Sequence, residues 1–171
     1  MMKILAVSDI HMAGHCLTQS GNPDVPEVNE YLEGAGISLP KQVRLISDQI
    51  CLGGIGGAIP TPFLTPSDFF EEQLLEFVGT GYDQARNLLE SPTALAKNKI
   101  PLILVSHTPA IGTRVGQLID GTSAGSRAIR KFIEASLPDL CGCGHIHKAA
   151  GSDVIGCMMG SGGWLEIDIV N

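Results

Sequence analysis

Positive charge is scarce in this sequence, and its scarcity limits the partners that the protein can bind. Lysine and arginine total 11 against 18 aspartates and glutamates, so the formal net charge is −7. A chain of this sign repels a phosphate backbone, and we expect no broad electrostatic binding to nucleic acid. It would also repel an anionic substrate, unless a bound metal ion supplied positive charge locally.

Long apolar runs and a disulfide framework are also missing. No apolar stretch approaches the length of a transmembrane helix, and the run after Met1 ends at Asp9, which is too short for a signal peptide. The five cysteines are an odd number without the spacing of a disulfide scaffold. We therefore expect no membrane partner, reduced thiols and a cytoplasmic protein.

Two of the cysteines, Cys141 and Cys143, alternate along a predicted strand and should face the same side. Two interpretations stay open. They are either small apolar residues buried in the core or part of a Cys–His zinc site that also uses the histidines just downstream.

The composition is that of one compact domain spanning residues 1–171, because 44% of the residues are hydrophobic and only 17% are charged. Apolar runs and helical periodicity alternate along it, which predicts an α/β fold. The predicted strands cover 3–8, two segments of 43–57 joined at Ser47–Asp48, 100–107, a segment from Leu140 that ends near Cys143 and runs into the turn with the two histidines, and 164–170. The predicted helices cover 25–37, 67–78 with a continuation to Pro92, and 125–139.

Polar residues that can bind metal stand where the predicted strands end. Asp9 and His11 follow the first strand, His107 follows a later one, and His145 and His147 follow another. Asn22 lies in the tight turn "SGNPD" before a helix. Because α/β proteins build their sites at one edge of the sheet, this clustering predicts a common site.

The residue types indicate which ions such a site would prefer. Mixed carboxylate, carboxamide and imidazole ligands suit Mn²⁺, Fe or Zn²⁺ better than Ca²⁺, which prefers oxygen alone. The set also holds more ligands than one ion needs, so we expect two divalent ions, Mn²⁺ first, with Fe, Zn²⁺ or Ni²⁺ as alternatives. Two ions can bind phosphate oxygens, activate a bridging water and stabilise the leaving oxygen.

The blocks "SDIH", "GNPD", "VSHTPA" and "GHIH" occur in the order typical of the calcineurin-like metallophosphoesterases, and "LGGIGGAIPTPF" resembles their small single-domain archaeal and bacterial members. The resemblance implies a four-layer α-β-β-α sandwich of two mixed sheets. It implies one metal on Asp9, His11 and His147, and another on Asn22, His107 and His145. It also implies catalytic roles for Asn22, His107 and His145 in hydrolysing phosphodiesters with a metal-bound hydroxide.

Two positions depart from the family pattern. No Gly-Asp dipeptide stands between Asp9 and Asn22, where the family carries the aspartate that bridges its metals. Only "MAGHCLTQS" lies there, too short for the helix of a parallel crossover, so we expect a segment to be absent between about Ile10 and Gly21. Pro23 stands where many members have a histidine that protonates the leaving group, which favours substrates with good leaving groups.

Other interpretations stay open beside the enzyme. The chain could be a non-catalytic scaffold with the metallophosphoesterase fold, or a metal-binding protein. His15 is either an exposed loop residue or a part of the site. Arg114 and Arg127 either contact substrate phosphate or form surface ion pairs, and Gly112, Thr113 and Gly121 predict a flexible loop after His107.

Overall fold

A mixed four-stranded sheet is the centre of the structure, a computed structural model that describes residues 26–34, 39, 43–46, 50–63, 65–89, 100–146, 148–149, 151, 153 and 155. Its strands follow one another across the sheet in chain order, the first pair antiparallel and the others parallel. They are β1 (Val43–Ile46), β2 (Ile50–Ile55), β3 (Leu102–Ser106) and β4 (Leu140–Cys143). The α/β class predicted from the sequence is confirmed.

The hairpin predicted over 43–57 corresponds to β1 and β2, which pair in the register Ile46↔Ile50 and Val43↔Gly53. The residues that join them lie outside the described part of the chain. The strand predicted at 100–107 is present as β3, which is shorter than its apolar run suggests, and the strand predicted to run from Leu140 to near Cys143 is present as β4 with those bounds. The predicted strands at 3–8 and 164–170 fall outside the described residues.

The described helices are α1 (Pro26–Gly34), α2 (Glu71–Leu89) and α3 (Arg127–Ser136), together with a 3₁₀ turn at Arg114–Gly116. Helix α1 lies within the stretch 25–37 that the sequence predicts to be helical, and it ends at Gly34. Helix α2 joins the two predicted helical stretches, because a single helix continues through Gly79 and Thr80.

The start of α2 was predicted wrongly at Ser67. Residues 65–68 form a turn instead, in which the Asp68 carboxylate accepts hydrogen bonds from the amides of Thr61 and Thr65, at 3.3 and 3.0 Å, and from the Thr65 hydroxyl. The helix begins after Phe70, whose N–H donates to Gln73 Oε1 at 2.9 Å. Gln73 is the third residue of the helix, the position from which the side chain in a capping box accepts a hydrogen bond from the amide before the helix. That amide has no hydrogen-bond partner within the helix backbone.

Helices α2 and α3 lie on the same face of the sheet, because each follows a strand of the parallel β2–β3–β4 unit as its crossover. Between the helices and this face lies the main core, whose buried members come from the two helices and the strands. These are Ile55, Leu74, Val78, Leu104, Ala110, Ala128, Ile129 and Ile133.

The opposite face of the sheet is apolar too. It presents Leu52, Ile103, Val105 and Leu140, which alternate with the core-facing residues. Ile103 is only 6% exposed, and Gly54 lies against Leu39. The described residues form one sheet, so the predicted second sheet of the sandwich is not confirmed. No helix in the described ranges is long and apolar enough to cross a membrane.

Candidate functional site

The carboxyl ends of β2, β3 and β4 meet at one edge of the sheet, because the three strands are parallel. Chemically active residues follow two of these ends directly. His107 is the next residue after β3, and His145 comes two residues after β4. This is the edge at which α/β folds usually bind ligands.

The backbone of His107 is held by both neighbouring strands. Its N–H donates to the carbonyl of Ile55 at the end of β2, at 2.9 Å, and its own carbonyl accepts from the N–H of Gly144 after β4, at 3.1 Å. The residue is 8% exposed. Pairing on both sides therefore continues one residue past the end of β3, and it gives this histidine the rigidity of a central strand.

His145 lies at the centre of a tight and strained turn. The N–H of Ile146 donates to the carbonyl of Gly144 at 2.9 Å, which closes a three-residue γ-turn, and His145 has φ 71°. A γ-turn with positive φ is rare for a residue with a side chain, and such strain is concentrated at functional sites. The sequence gives no direct sign of this conformation, since glycine would be expected at such a φ.

The strained turn brings the two histidines together. The ring centroids of His107 and His145 are 5.1 Å apart, and the ring planes are inclined by 65°. Both residues also make further interactions with other groups. Two neutral imidazoles at this spacing can offer nitrogens to one ion or to two adjacent ions.

The remaining predicted ligands cannot be placed. Asp9, His11, Asn22 and His147 lie outside the described residues, as do His15 and the suspected gap between Ile10 and Gly21. Among the described residues, no group of three or more histidine, cysteine, aspartate or glutamate side chains could hold a metal ion. The structure thus brings together two of the six predicted ligands.

The two cysteines on β4 lie on the face of the sheet that carries the main core, and Cys141 packs against it. Burial raises the pKa of the Cys141 thiol to about 12, with a further contribution from Cys143, and burial raises the pKa of Cys143 to about 11. Without a metal ion these thiols are protonated near neutral pH, and the zinc interpretation, which also involves His147 outside the described residues, stays a prediction.

Thr108 is a residue of the site that the sequence did not reveal. Its hydroxyl donates to the carbonyl of Gly57 at 3.0 Å, and its carbonyl accepts from the hydroxyl of Ser106 at 2.6 Å. The side chain is 1% exposed. No local pattern could predict this bond, since its two partners follow different strands and are far apart in sequence.

The loop 109–126 borders the site and is closed at its base. The N–H of Ser126 donates to the carbonyl of Pro109 at 2.8 Å, and the N–H of Ile111 donates to the carbonyl of Ser126 at 3.0 Å. Further hydrogen bonds inside the loop include that of the buried Thr113 hydroxyl to the carbonyl of Ala110, at 2.7 Å. The predicted loop after His107 is present, with a hydrogen-bonded internal structure.

The two arginines that were considered as phosphate ligands both lie near this loop. Arg114 is exposed, and its backbone N–H donates to Asp153 Oδ2 at 2.8 Å. Arg127 is the first residue of α3, where its N–H donates to Glu71 Oε1 at 2.8 Å. Neither contact shows a role for the guanidinium group, so phosphate binding by these residues stays a prediction.

The amino end of α3 is occupied by a carboxylate from α2. Glu71 accepts hydrogen bonds from the Ser126 hydroxyl and the Ala128 N–H, at 2.7 and 2.8 Å, in addition to that from Arg127. Partial burial raises the pKa of Glu71, but these hydrogen bonds and the charge of Arg127 lower it by more, so its pKa lies below the usual value. This helix end is therefore already neutralised, and it does not offer its amides to a substrate phosphate.

Comparisons with known proteins find an uncharacterized relative and a similar fold. No family model matches the chain. The uncharacterized protein MJ1162 of Methanocaldococcus jannaschii is 33% identical over 141 residues, which cover 80% of this chain and 57% of that protein. The chain thus spans just over half the length of the curated relative that it matches. One crystal structure is similar with a TM-score of 0.51 at 17% identity, over 80% of this chain and 52% of the other, and this likeness concerns the fold alone.

Proposed function

We propose that the protein is a metal-dependent phosphoesterase that hydrolyses phosphodiesters, as its resemblance to the calcineurin-like metallophosphoesterases implies. The observation that carries the proposal is the pairing of His107 and His145 at the carboxyl ends of adjacent parallel strands, with ring centroids 5.1 Å apart. These histidines belong to two separate motif blocks, "VSHTPA" and "GHIH", which the resemblance assigns to a common site.

The backbone at this edge also supports a functional role. A histidine with φ 71° is unfavourable for folding, and glycine would remove the strain. A strained conformation persists where the surrounding structure enforces it, and at active sites it serves to orient a group. His145 is followed by Ile146 and His147, so the same turn governs the start of the whole "HIH" block.

In the proposed site, Asn22, His107 and His145 hold one divalent ion, and Asp9, His11 and His147 hold the other. Mn²⁺ is the first choice because the ligands mix oxygen and nitrogen. When bound, these ions would neutralise the charge of the phosphate and lower the pKa of water. His107 contributes an imidazole from a nearly buried residue whose backbone is held by both neighbouring strands, and His145 contributes a second imidazole from the strained turn.

We also propose that the whole fold is the four-layer sandwich of the family and that the protein is cytoplasmic. The apolar second face of the sheet, with Ile103 at 6% exposure, needs a covering layer, and a second sheet would complete the four-layer sandwich. Cys51, Cys141 and Cys143 are free thiols, which is in keeping with a cytoplasmic enzyme.

The test is hydrolysis of bis-para-nitrophenyl phosphate, a diester with a good leaving group, by the purified chain with Mn²⁺ and after treatment with a chelator. We expect turnover that requires the metal and that is lost in both His107→Ala and His145→Ala, while Lys131→Ala on the exposed side of α3 keeps it. Mn²⁺ binding without turnover would favour the scaffold or metal-binding alternative. Absence of both would contradict the proposal.

A further inference from the structure

The turns that follow β2 and β3 are joined by one side chain. The hydroxyl of Thr108 donates to the carbonyl of Gly57 at 3.0 Å, and Thr108 is 1% exposed. The preceding link between the same two segments is the backbone hydrogen bond from His107 to Ile55. The Thr108 hydroxyl thus continues the contact between neighbouring strands beyond the point where backbone pairing ends.

Both ends of this hydrogen bond are fixed. The carbonyl of Thr108 accepts from the hydroxyl of Ser106 at 2.6 Å, and Ser106 is fully buried. Gly57 has φ 76°, and a Cβ there would lie 2.6 Å from the carbonyl oxygen of Ser67. The acceptor therefore lies in a turn that only glycine fits, and the donor is held by the strand that carries His107.

We propose that Thr108 is the positioning residue of His107, and that its hydroxyl sets the direction of that imidazole relative to His145. This inference rests on the proposed function, and it extends that function to a residue that does not itself touch the metals or the substrate. The backbone of His107 is fixed by β2 and β4, but the chain must turn immediately after it. The Thr108 bond determines that turn, and outer groups of this kind commonly tune metal affinity.

Thr113 provides a matched control. It too is nearly buried, at 5% exposure, and its hydroxyl also donates to a backbone carbonyl, that of Ala110, at 2.7 Å. This bond is local to the loop 109–126 and does not join two strands. Replacement of either threonine by valine removes one buried hydroxyl at nearly constant volume, so both variants should lose similar stability.

The experiment compares Thr108→Val, Thr108→Ser and Thr113→Val in Mn²⁺ affinity by titration calorimetry, in thermal stability, and in the NOE between the His107 and His145 ring protons of the metal-free protein. We expect Thr108→Val to bind Mn²⁺ about 10-fold more weakly and to weaken the NOE. Thr108→Ser should restore both, and Thr113→Val should change stability alone. If Thr108→Val fails to fold, the comparison of Thr108→Ser with Thr108→Ala isolates the hydroxyl.

The outcomes separate this inference from the proposed function. Equal Mn²⁺ affinity and an unchanged ring NOE in Thr108→Val would overturn the positioning role while the enzyme proposal stands. Equal losses of Mn²⁺ affinity in Thr108→Val and Thr113→Val would also overturn the positioning role, because they would show that removing any buried hydroxyl near the site has the same effect. A wild-type protein that binds no Mn²⁺ would overturn the proposed function, and the inference would fall with it.

Discussion

The amide of Gly144 donates to the carbonyl of His107 across 3.1 Å, directly beyond the last register pair of β3 and β4, Ser106↔Cys143. This bond aligns the ends of the two strands, so that the residue after β3 lies beside the turn after β4. The imidazoles of His107 and His145 meet for this reason. A site built in this way depends on the register of β3 and β4.

The strain at His145 leads to a first prediction. Both His145→Gly and His145→Ala should abolish metal-dependent hydrolysis, but glycine accepts φ 71° without cost, whereas alanine does not. We expect His145→Gly to be about 1 kcal/mol more stable than His145→Ala in urea unfolding. A glycine variant that is no more stable than the alanine variant would show that the turn is unstrained, and retained activity in either would contradict the site assignment.

The sequence predicts those features of the site that are marked by a short stretch of the chain, and it does not predict those that depend on tertiary packing. The strand-end histidines are visible because apolar runs end at them, and the hairpin is visible as two short runs around Ser47–Asp48. The adjacency of β3 and β4 is decided by packing between distant segments. The Thr108–Gly57 bond and the γ-turn at His145 are consequences of that packing, so no short motif predicts them.

The start of α2 shows a second limit. Ser67 followed by acidic residues is a reasonable helix signal, but Asp68 makes better hydrogen bonds within a turn, and the helix starts after Phe70. The shift matters, because it makes Glu71 the first residue of α2 and directs its carboxylate at the amino end of α3. A contact between two helix ends is again a product of tertiary packing.

The second prediction concerns the pH dependence of stability. Hydrogen bonds and the Arg127 charge outweigh desolvation and lower the pKa of Glu71 below its usual 4.5. A lowered carboxyl pKa stabilises the fold at pH values above 4.5, and this contribution disappears as pH falls through the folded-state value. We expect Glu71→Gln to lose about 1 kcal/mol at pH 7 and to approach the wild type in acid.

Glu72→Gln is the matched control for this measurement. Glu72 is the next residue in the same first turn of α2, and it is exposed. Glu72→Gln removes the same charge near the same helix end, but it breaks none of the contacts that Glu71 makes with α3. We therefore expect it to lose less stability than Glu71→Gln. Equal effects of the two substitutions in urea unfolding between pH 3 and 7 would contradict the assigned role of Glu71.

The third prediction concerns the thiols. Burial raises the pKa of Cys51 and Cys143 to about 11 and that of Cys141 to about 12. A thiol with a raised pKa holds little reactive thiolate near neutral pH. We expect iodoacetamide at pH 8 to label these three cysteines slowly in the native protein and rapidly in urea, as read by peptide mass spectrometry. Rapid native labelling of Cys51, which is fully buried, would contradict its packing with Ile100 and Leu102.

The last prediction uses two neighbouring glycines of β2 that face opposite sides of the sheet. Gly53 borders a small cavity of about 20 Å³ between the sheet and the helices. A Cβ there would meet Val43 and Leu104 at 3.6 and 3.9 Å, which are ordinary contact distances. A Cβ on Gly54 would instead lie 2.6 Å from the carbonyl oxygen of Leu39, which is backbone and cannot move aside cheaply.

The two alanine substitutions should therefore change the free energy of unfolding in opposite directions, although they add the same methyl group to adjacent positions of one strand. Gly53→Ala should stabilise the protein by about 0.5–1 kcal/mol, since it fills space and restricts the unfolded chain. Gly54→Ala should destabilise it by about 1–3 kcal/mol, since it forces the second face apart. Urea unfolding measures both changes in the free energy of unfolding. A loss of stability in Gly54→Ala would show that the second face of the sheet is closely covered. A neutral Gly54→Ala would mean that the layer over this face is loose, and it would weaken the case for a packed second sheet.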